Sequence, residues 1–204
     1  MIYGVQRFEI RLDQDRADEL LPALMEAAGT GNSESRAMLA QAYCELGRLQ
    51  DARGVFDALM AVLPDVPPDP NWILAVIRAA SVCAELGDRA AAGRLYPLLA
   101  PYADRIVGNG VVWIGSVAHY LGVLATTLER FDDAERYLVA SDAAHERLHA
   151  PGWRARTRLA WARLLFRRAQ PKDAKDARQL LGQVIATARE LGLVNLERRA
   201  AELQ

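Results

Sequence analysis

The sequence predicts an all-α fold: about five helical hairpins stacked as a right-handed solenoid, with a C-terminal capping helix. Three observations predict it. Apolar residues recur at i, i+3 and i+4 from end to end, while period-2 alternation never lasts, so essentially no sheet is expected. Turn signals come at intervals of roughly 15 to 20 residues. They are Ala28-Gly29-Thr30-Gly31-Asn32, Leu46-Gly47-Arg48, Pro64 to Pro70, Leu86-Gly87-Asp88, Val107-Gly108-Asn109-Gly110, Pro151-Gly152 and Leu191-Gly192. The segments between these turns also align with one another, as stacked supersecondary units must.

Taken in order, residues 1–31 read as a degenerate first pair, with helices before and after Asp13-Gln14-Asp15. The second pair, 33–66, runs through Leu39-Ala40-Gln41-Ala42-Tyr43-Cys44-Glu45-Leu46-Gly47 to Ala52 and Phe56. The third, 71–104, repeats that register with Ala80, Glu85-Leu86-Gly87, Ala92 and Tyr96. The fourth, 113–150, repeats it with Gly122, Leu128, Ala134 and Leu138. The fifth, 153–192, is looser: Leu159-Ala160 opens it, Ala177 to Leu181 closes it, and Ala169 to Lys175 lengthens its turn. Residues 194–204 form the cap. Small residues at Ala40, Ala80 and Gly122, answered by Ala52, Ala92 and Ala134, let paired helices touch. Phe56, Tyr96 and Leu138 fill the gap to the next pair. One hairpin alone cannot bury its apolar face, so neighbours must stack.

This register resembles the tetratricopeptide repeat, most closely in the second pair, where Ala40, Tyr43, Leu46-Gly47, Ala52, Phe56 and Pro64 sit at the motif's spacing. The 204 residues make one such domain. Four longer strings extend the resemblance: Asp69-Pro70-Asn71-Trp72-Ile73-Leu74, Tyr96 to Ala103, Gly115 to Gly122 and Ala188 to Leu193. They look like the C-terminal repeat region of bacterial multidomain regulators. Those carry a nucleotide-cyclase-like or LuxR-type DNA-binding module and a STAND-type signalling ATPase ahead of the repeats. The resemblance implies a non-catalytic protein–protein interaction module, a scaffold or sensor in bacterial signalling or transcription regulation. A small-ligand or peptide sensor with an enclosed groove is the alternative.

Composition sets the other bounds. Half the residues are hydrophobic and a quarter charged, as in globular chains. No run of about 18 apolar residues exists, so no membrane span is expected. The first residues lack the basic start and apolar run of a signal peptide. Two cysteines, Cys44 and Cys83, make neither a disulfide framework nor a metal set and read as small core residues. A cytoplasmic protein follows, with no cofactor expected.

Three strings invite chemistry. His145-Glu146-Arg147-Leu148-His149 is a literal H-E-x-x-H, in which two histidines one turn apart could grip zinc. The third histidine of the extended motif should stand at Ala155, so an outer helix with polar residues facing water is the preferred reading over a zinc hydrolase. Gly108, Gly110 and Gly115 evoke a phosphate cradle but follow no strand and precede no lysine, so they read as turn glycines. Trp72, Trp113, Trp153 and Trp161 read as packing anchors, with any one exposed in a groove a binding hot spot.

Charge is segregated. Residues 151–204 hold 12 Arg/Lys against 5 Asp/Glu, and residues 1–150 hold 13 against 21. Arg154, Arg156, Arg158, Arg163, Arg167 and Arg168 fall on one predicted helix. Counting positions along each inner helix puts Glu34, Gln41, Glu45, Arg78, Ser81, Glu85, His119, Tyr120, Arg154 and Arg158 on the concave face. The expected partner is a protein or peptide: an acidic segment, or a sister ATPase or cyclase-like domain. Nucleic acid is disfavoured because aromatic platforms interleaved with lysine are not evident. Self-association of acidic end on basic end is the competing outcome.

Overall fold

The computed structural model describes residues 2–63, 72–108 and 112–204. The Pro64 to Pro70 turn, Asn71, and Asn109-Gly110 lie outside them. The described residues are all-helical apart from one small ribbon. α1 (Ile2–Asp13) is followed by a 3-10 turn (Ala17–Leu20) that runs into α2 (Leu21–Gly29). Then come α3 (Ser33–Glu45), α4 (Leu49–Met60), α5 (Trp72–Glu85) and α6 (Arg89–Leu99). β1 (Ile106–Gly108) and β2 (Trp113–Ser116) pair antiparallel before α7 (Val117–Thr127) and α8 (Phe131–Arg147). α9 (Pro151–Arg168), α10 (Asp173–Leu191) and α11 (Val194–Ala201) complete the chain.

The ribbon, three residues against four, is the one sheet among the described residues and agrees with the expectation of essentially none. It occupies the connection read as a simple glycine loop, and its glycines are sterically required. A Cβ on Gly108 would lie 2.8 Å from the Val112 carbonyl oxygen, and one on Gly115, at φ +80°, would lie 2.6 Å from the Trp153 ring.

Helix starts and stops follow local chemistry. Asn32, Asp88 and Ser116 cap α3, α6 and α7 by accepting from the N–H of Ser35, Ala91 and His119. The odd-numbered helices α3 to α9 each end on a left-handed residue: Gly47, Gly87, Glu129 and Ala169. The two glycines take this conformation without strain, whereas Glu129 and Ala169 carry a Cβ penalty. Behind the first three, Arg48, Asp88 and Arg130 each donate their N–H to a carbonyl five residues back, at 2.9 to 3.0 Å. The intervals of 40, 42 and 40 residues between the four left-handed positions define a common frame.

That frame also positions the small residues. Ala40, Ala80 and Ala162 are fully buried, and a Cβ on Gly122 would lie 2.6 Å from Leu138 Cγ. Ala52, Ala92, Ala134 and Ala177 are fully buried on the facing helices. Phe56, Leu138 and Leu181 fill the spaces behind them. Tyr96 is only half-buried; its ring meets Tyr137 edge-on and carries Arg130 over its face. α3 packs on α5, α5 on α7 and α7 on α9, while α4, α6, α8 and α10 pair with the preceding odd helix. α11 packs on α10 and also touches α1, so the inner row of helices closes on itself.

Candidate functional site

The closed row surrounds a cavity of about 240 Å³. Its walls come from α1, α3, α5, α7, α9 and α11, with Ile114 of β2 at one side. Among the described residues, none of α2, α4, α6, α8 or α10 reaches it.

Ion pairs cross the cavity and close it. Arg156 of α9 donates to Asp13 of α1. Arg163 Nη1 lies 2.6 Å from Glu85 Oε1. Arg199 of α11 lies 2.7 Å from Glu45 and also donates to Glu85. Asn195 donates to Glu45 at 3.0 Å and to Asp15 at 3.1 Å, and Arg198 Nε meets Asp15 at 3.0 Å. The acidic N-terminal helices and the basic C-terminal ones thus neutralise each other within one chain. Together these pairs form an internal latch.

Seven of the residues placed on the concave face by counting line this cavity: Gln41, Glu45, Arg78, Ser81, Glu85, His119 and Tyr120. Glu34 does not; it is buried at the start of α3. Arg154 and Arg158 do not either. Both face α8, where Arg154 Nε sits 3.1 Å and Arg158 Nε 2.8 Å from Asp142, and Arg154 Nη1 reaches Glu146 at 2.6 Å. The reason is a frame error of two residues. The 40-residue interval puts Arg156 opposite Ser116, but counting from Trp153 chose Arg154. Two residues rotate a helical position by about 200°, onto the opposite face. The cavity face of α9 is instead Trp153, Arg156, Leu159, Ala160, Arg163 and Arg167. The spacing i, i+3, i+4, i+7 was available in the sequence; the looseness of the fifth pair hid its phase.

Burial decides several titrations. Burial pushes the Glu85 carboxyl up, but Arg199 and Arg163 outweigh it and hold the group below its ordinary range. At Asp13 burial wins over Arg156 and raises the carboxyl. Burial also raises Glu34, with Arg78 only partly compensating. The Cys44 thiol, on the cavity wall, is pushed up to about 12 by burial and by Glu85 and Glu45, so it is no nucleophile at neutral pH.

Behind the His119 wall lies a polar network unseen in the sequence. The Ser116 N–H donates to His145 Nε2 at 3.1 Å, which places the neutral ring's proton on Nδ1. Nδ1 stands 3.2 Å from Thr157 Oγ1, which is 3.1 Å from Ser141 Oγ and 3.2 Å from His119 Nδ1. Ser116 Oγ donates to Ser141 at 2.8 Å. Burial drives the His119 imidazole down to about 3, helped by His145 and Arg156, and also lowers His145. His145 therefore points inward, not to water as expected of an outer helix. His149 is exposed in the turn after α8 at φ +50°. The two histidines of the H-E-x-x-H string share no face. Among the described residues no group of three His, Cys, Asp or Glu is placed to hold a metal ion.

Comparison with protein-family models and with curated proteins found no match. None of the described helices is long and apolar enough to cross a membrane.

Proposed function

We propose that this chain is a non-catalytic recognition module whose central cavity binds a small ligand. In this reading the hairpins form a tetratricopeptide-like right-handed superhelix, the sensing part of a bacterial signalling or transcription regulator in the cytoplasm. The observation that carries it is the closure of α11 onto α1 around one cavity lined by both polar and apolar side chains. An open groove suits a protein partner, whereas an enclosed pocket suits a small molecule. A cavity of about 240 Å³ inside the ring of helices suits a small molecule better than a folded partner.

A protein partner then belongs on the outside. Trp113 is 64% exposed, its carbonyl takes the Trp153 indole N–H, and the exposed Leu191 lies over Gly152 nearby. A sister domain docked there would sense cavity occupancy through Trp153, which belongs to both places.

The test uses thermal unfolding with host-cell extract divided by size. Val123 lines the cavity, so Val123→Phe should block it. The small-molecule fraction should stabilise the native chain and not the variant. Stabilisation by the protein fraction alone, equal in both, would move the binding site to the outer surface and defeat the cavity reading.

A further inference from the structure

The cavity's own charges and hydroxyls specify a ligand class, an inference that rests on the cavity being the binding site. Four carboxylates line it, and each has an arginine: Glu9 with Arg78 at 2.7 Å, Asp13 with Arg156, Glu45 with Arg199 at 2.7 Å, and Glu85 with Arg163 at 2.6 Å. Arg167 is the fifth arginine on the lining. Its closest carboxylate among the described residues is Glu129 at 3.8 Å, and Glu129 is already held by Arg89 at 3.0 Å. One positive charge is therefore in excess, at the Arg167 end.

Three hydroxyls on the lining each donate to a carbonyl of their own helix. Thr126 donates to the Gly122 carbonyl at 2.8 Å, Thr127 to Val123 at 3.1 Å and Ser81 to Ile77 at 3.4 Å. A hydroxyl that donates to its own helix has only lone pairs left to offer. These positions on α5 and α7 thus present acceptors, which call for donors on the ligand. Apolar Val82, Val123, Leu159 and Leu196 contribute to the remainder of the lining.

We propose that the cavity takes a small monoanionic ligand carrying hydroxyl groups, a hydroxylated carboxylate. Its carboxylate sits on Arg167, and its donors face Ser81, Thr126 and Thr127. The volume, below the ~300 Å³ at which drug-sized pockets begin, holds it to a handful of carbons. A neutral polyol leaves Arg167 unmatched, an amine adds charge to an already positive lining, and an alkyl carboxylate leaves the acceptor row desolvated without donors.

The experiment is calorimetric titration of the full chain. The probes are hydroxy carboxylates from glycerate to gluconate, with amino acids, neutral polyols, alkyl carboxylates and amines of matched size. The hydroxy carboxylates should bind most tightly. Arg167→Gln should weaken them about tenfold or more, the loss of one charge-assisted contact. Thr126→Val and Thr127→Val, near-isosteric changes checked by circular dichroism, should weaken them without weakening alkyl carboxylates. Equal or tighter binding of polyols, amino acids, amines or alkyl carboxylates, or indifference to Arg167→Gln, overturns the ligand class and leaves the cavity reading intact. No binding by any hydroxy carboxylate also overturns the class. If Val123→Phe in addition leaves the response to small-molecule extract unchanged, the cavity reading falls with it.

Discussion

The seam between α5 and α7 and the seam between α1 and α11 join neighbours in one ring by opposite chemistry. At the first, Leu74, Ile77, Val82, Val117, Leu121 and Leu124 are fully buried in a common cluster. At the second, Arg198 and Asn195 meet Asp15 just past α1, and Asn195 and Arg199 also reach Glu45 at the neighbouring end of α3. Burial of apolar surface is non-directional and insensitive to salt, at roughly 1.5–3 kcal/mol per large side chain. Partly exposed ion pairs are worth about 0–1 kcal/mol each and are screened. A ring built this way is weaker at its closure than at the α5–α7 seam.

Four measurements break or sharpen that contrast. The largest effect belongs to the apolar side. Phe56→Ala, at a fully buried ring, should cost about 3–5 kcal/mol in urea unfolding, with the same loss at low and high salt. A loss that varies with salt would erase the distinction.

Next comes the latch. Glu85→Ala leaves Arg163 and Arg199 sharing one fewer carboxylate, and should cost about 1–3 kcal/mol, discounted for Glu85's partial exposure. Labels on α1 and α11 should move apart in this variant and, for the native chain, in 1 M salt, where the screening length falls to about 3 Å. Labels on α5 and α7 should keep their distance. Unchanged spacing at both seams would show that the closure is not electrostatic.

Acid should separate the two regions by pH. His119 and His145 are depressed in the folded state, so the stability they contribute is present above the ordinary histidine value, about 6.5, and falls as pH drops below it. Between pH 7.5 and 5 the loss from His119 should be about 2 kcal/mol, and His119→Gln should remove it. Asp15 and Glu85 are also depressed, but from carboxylate values. Their contribution persists until pH falls below about 4.5, so α1 and α11 should stay together at pH 5. Separation of the labels already at pH 5 would contradict this order.

The smallest effect concerns the repeat frame itself. Glu129→Gly relieves a left-handed Cβ clash, at the cost of backbone freedom, and should stabilise by up to about 1 kcal/mol. The control is Gly87→Ala at the equivalent turn, where φ is +63°, and it should lose a similar amount. A stabilising Gly87→Ala would mean that the turns are not equivalent.

Much of this architecture is legible in the chain alone. The i, i+3, i+4 pattern, the Leu-Gly turns and the alanines at 40, 52, 80 and 92 are local signals, because helix phase and close approach depend on residues within a few turns. They locate the helices, and the same counting reaches seven of the cavity residues from Gln41 to Tyr120. The tertiary structure alone decided the rest. Whether Arg154 or Arg156 faces inward depends on the phase of α9 against α7, a relation carried by contacts with Gly115 and Asp142 rather than by the weak fifth repeat. The inward turn of His145 depends on Ser116, 29 residues earlier. Closure depends on partners as far apart as Asp15 and Arg198, 183 residues along the chain. Local periodicity fixes which side of a helix is apolar, but whether the first helix and the last meet depends on how every intervening pair packs against the next.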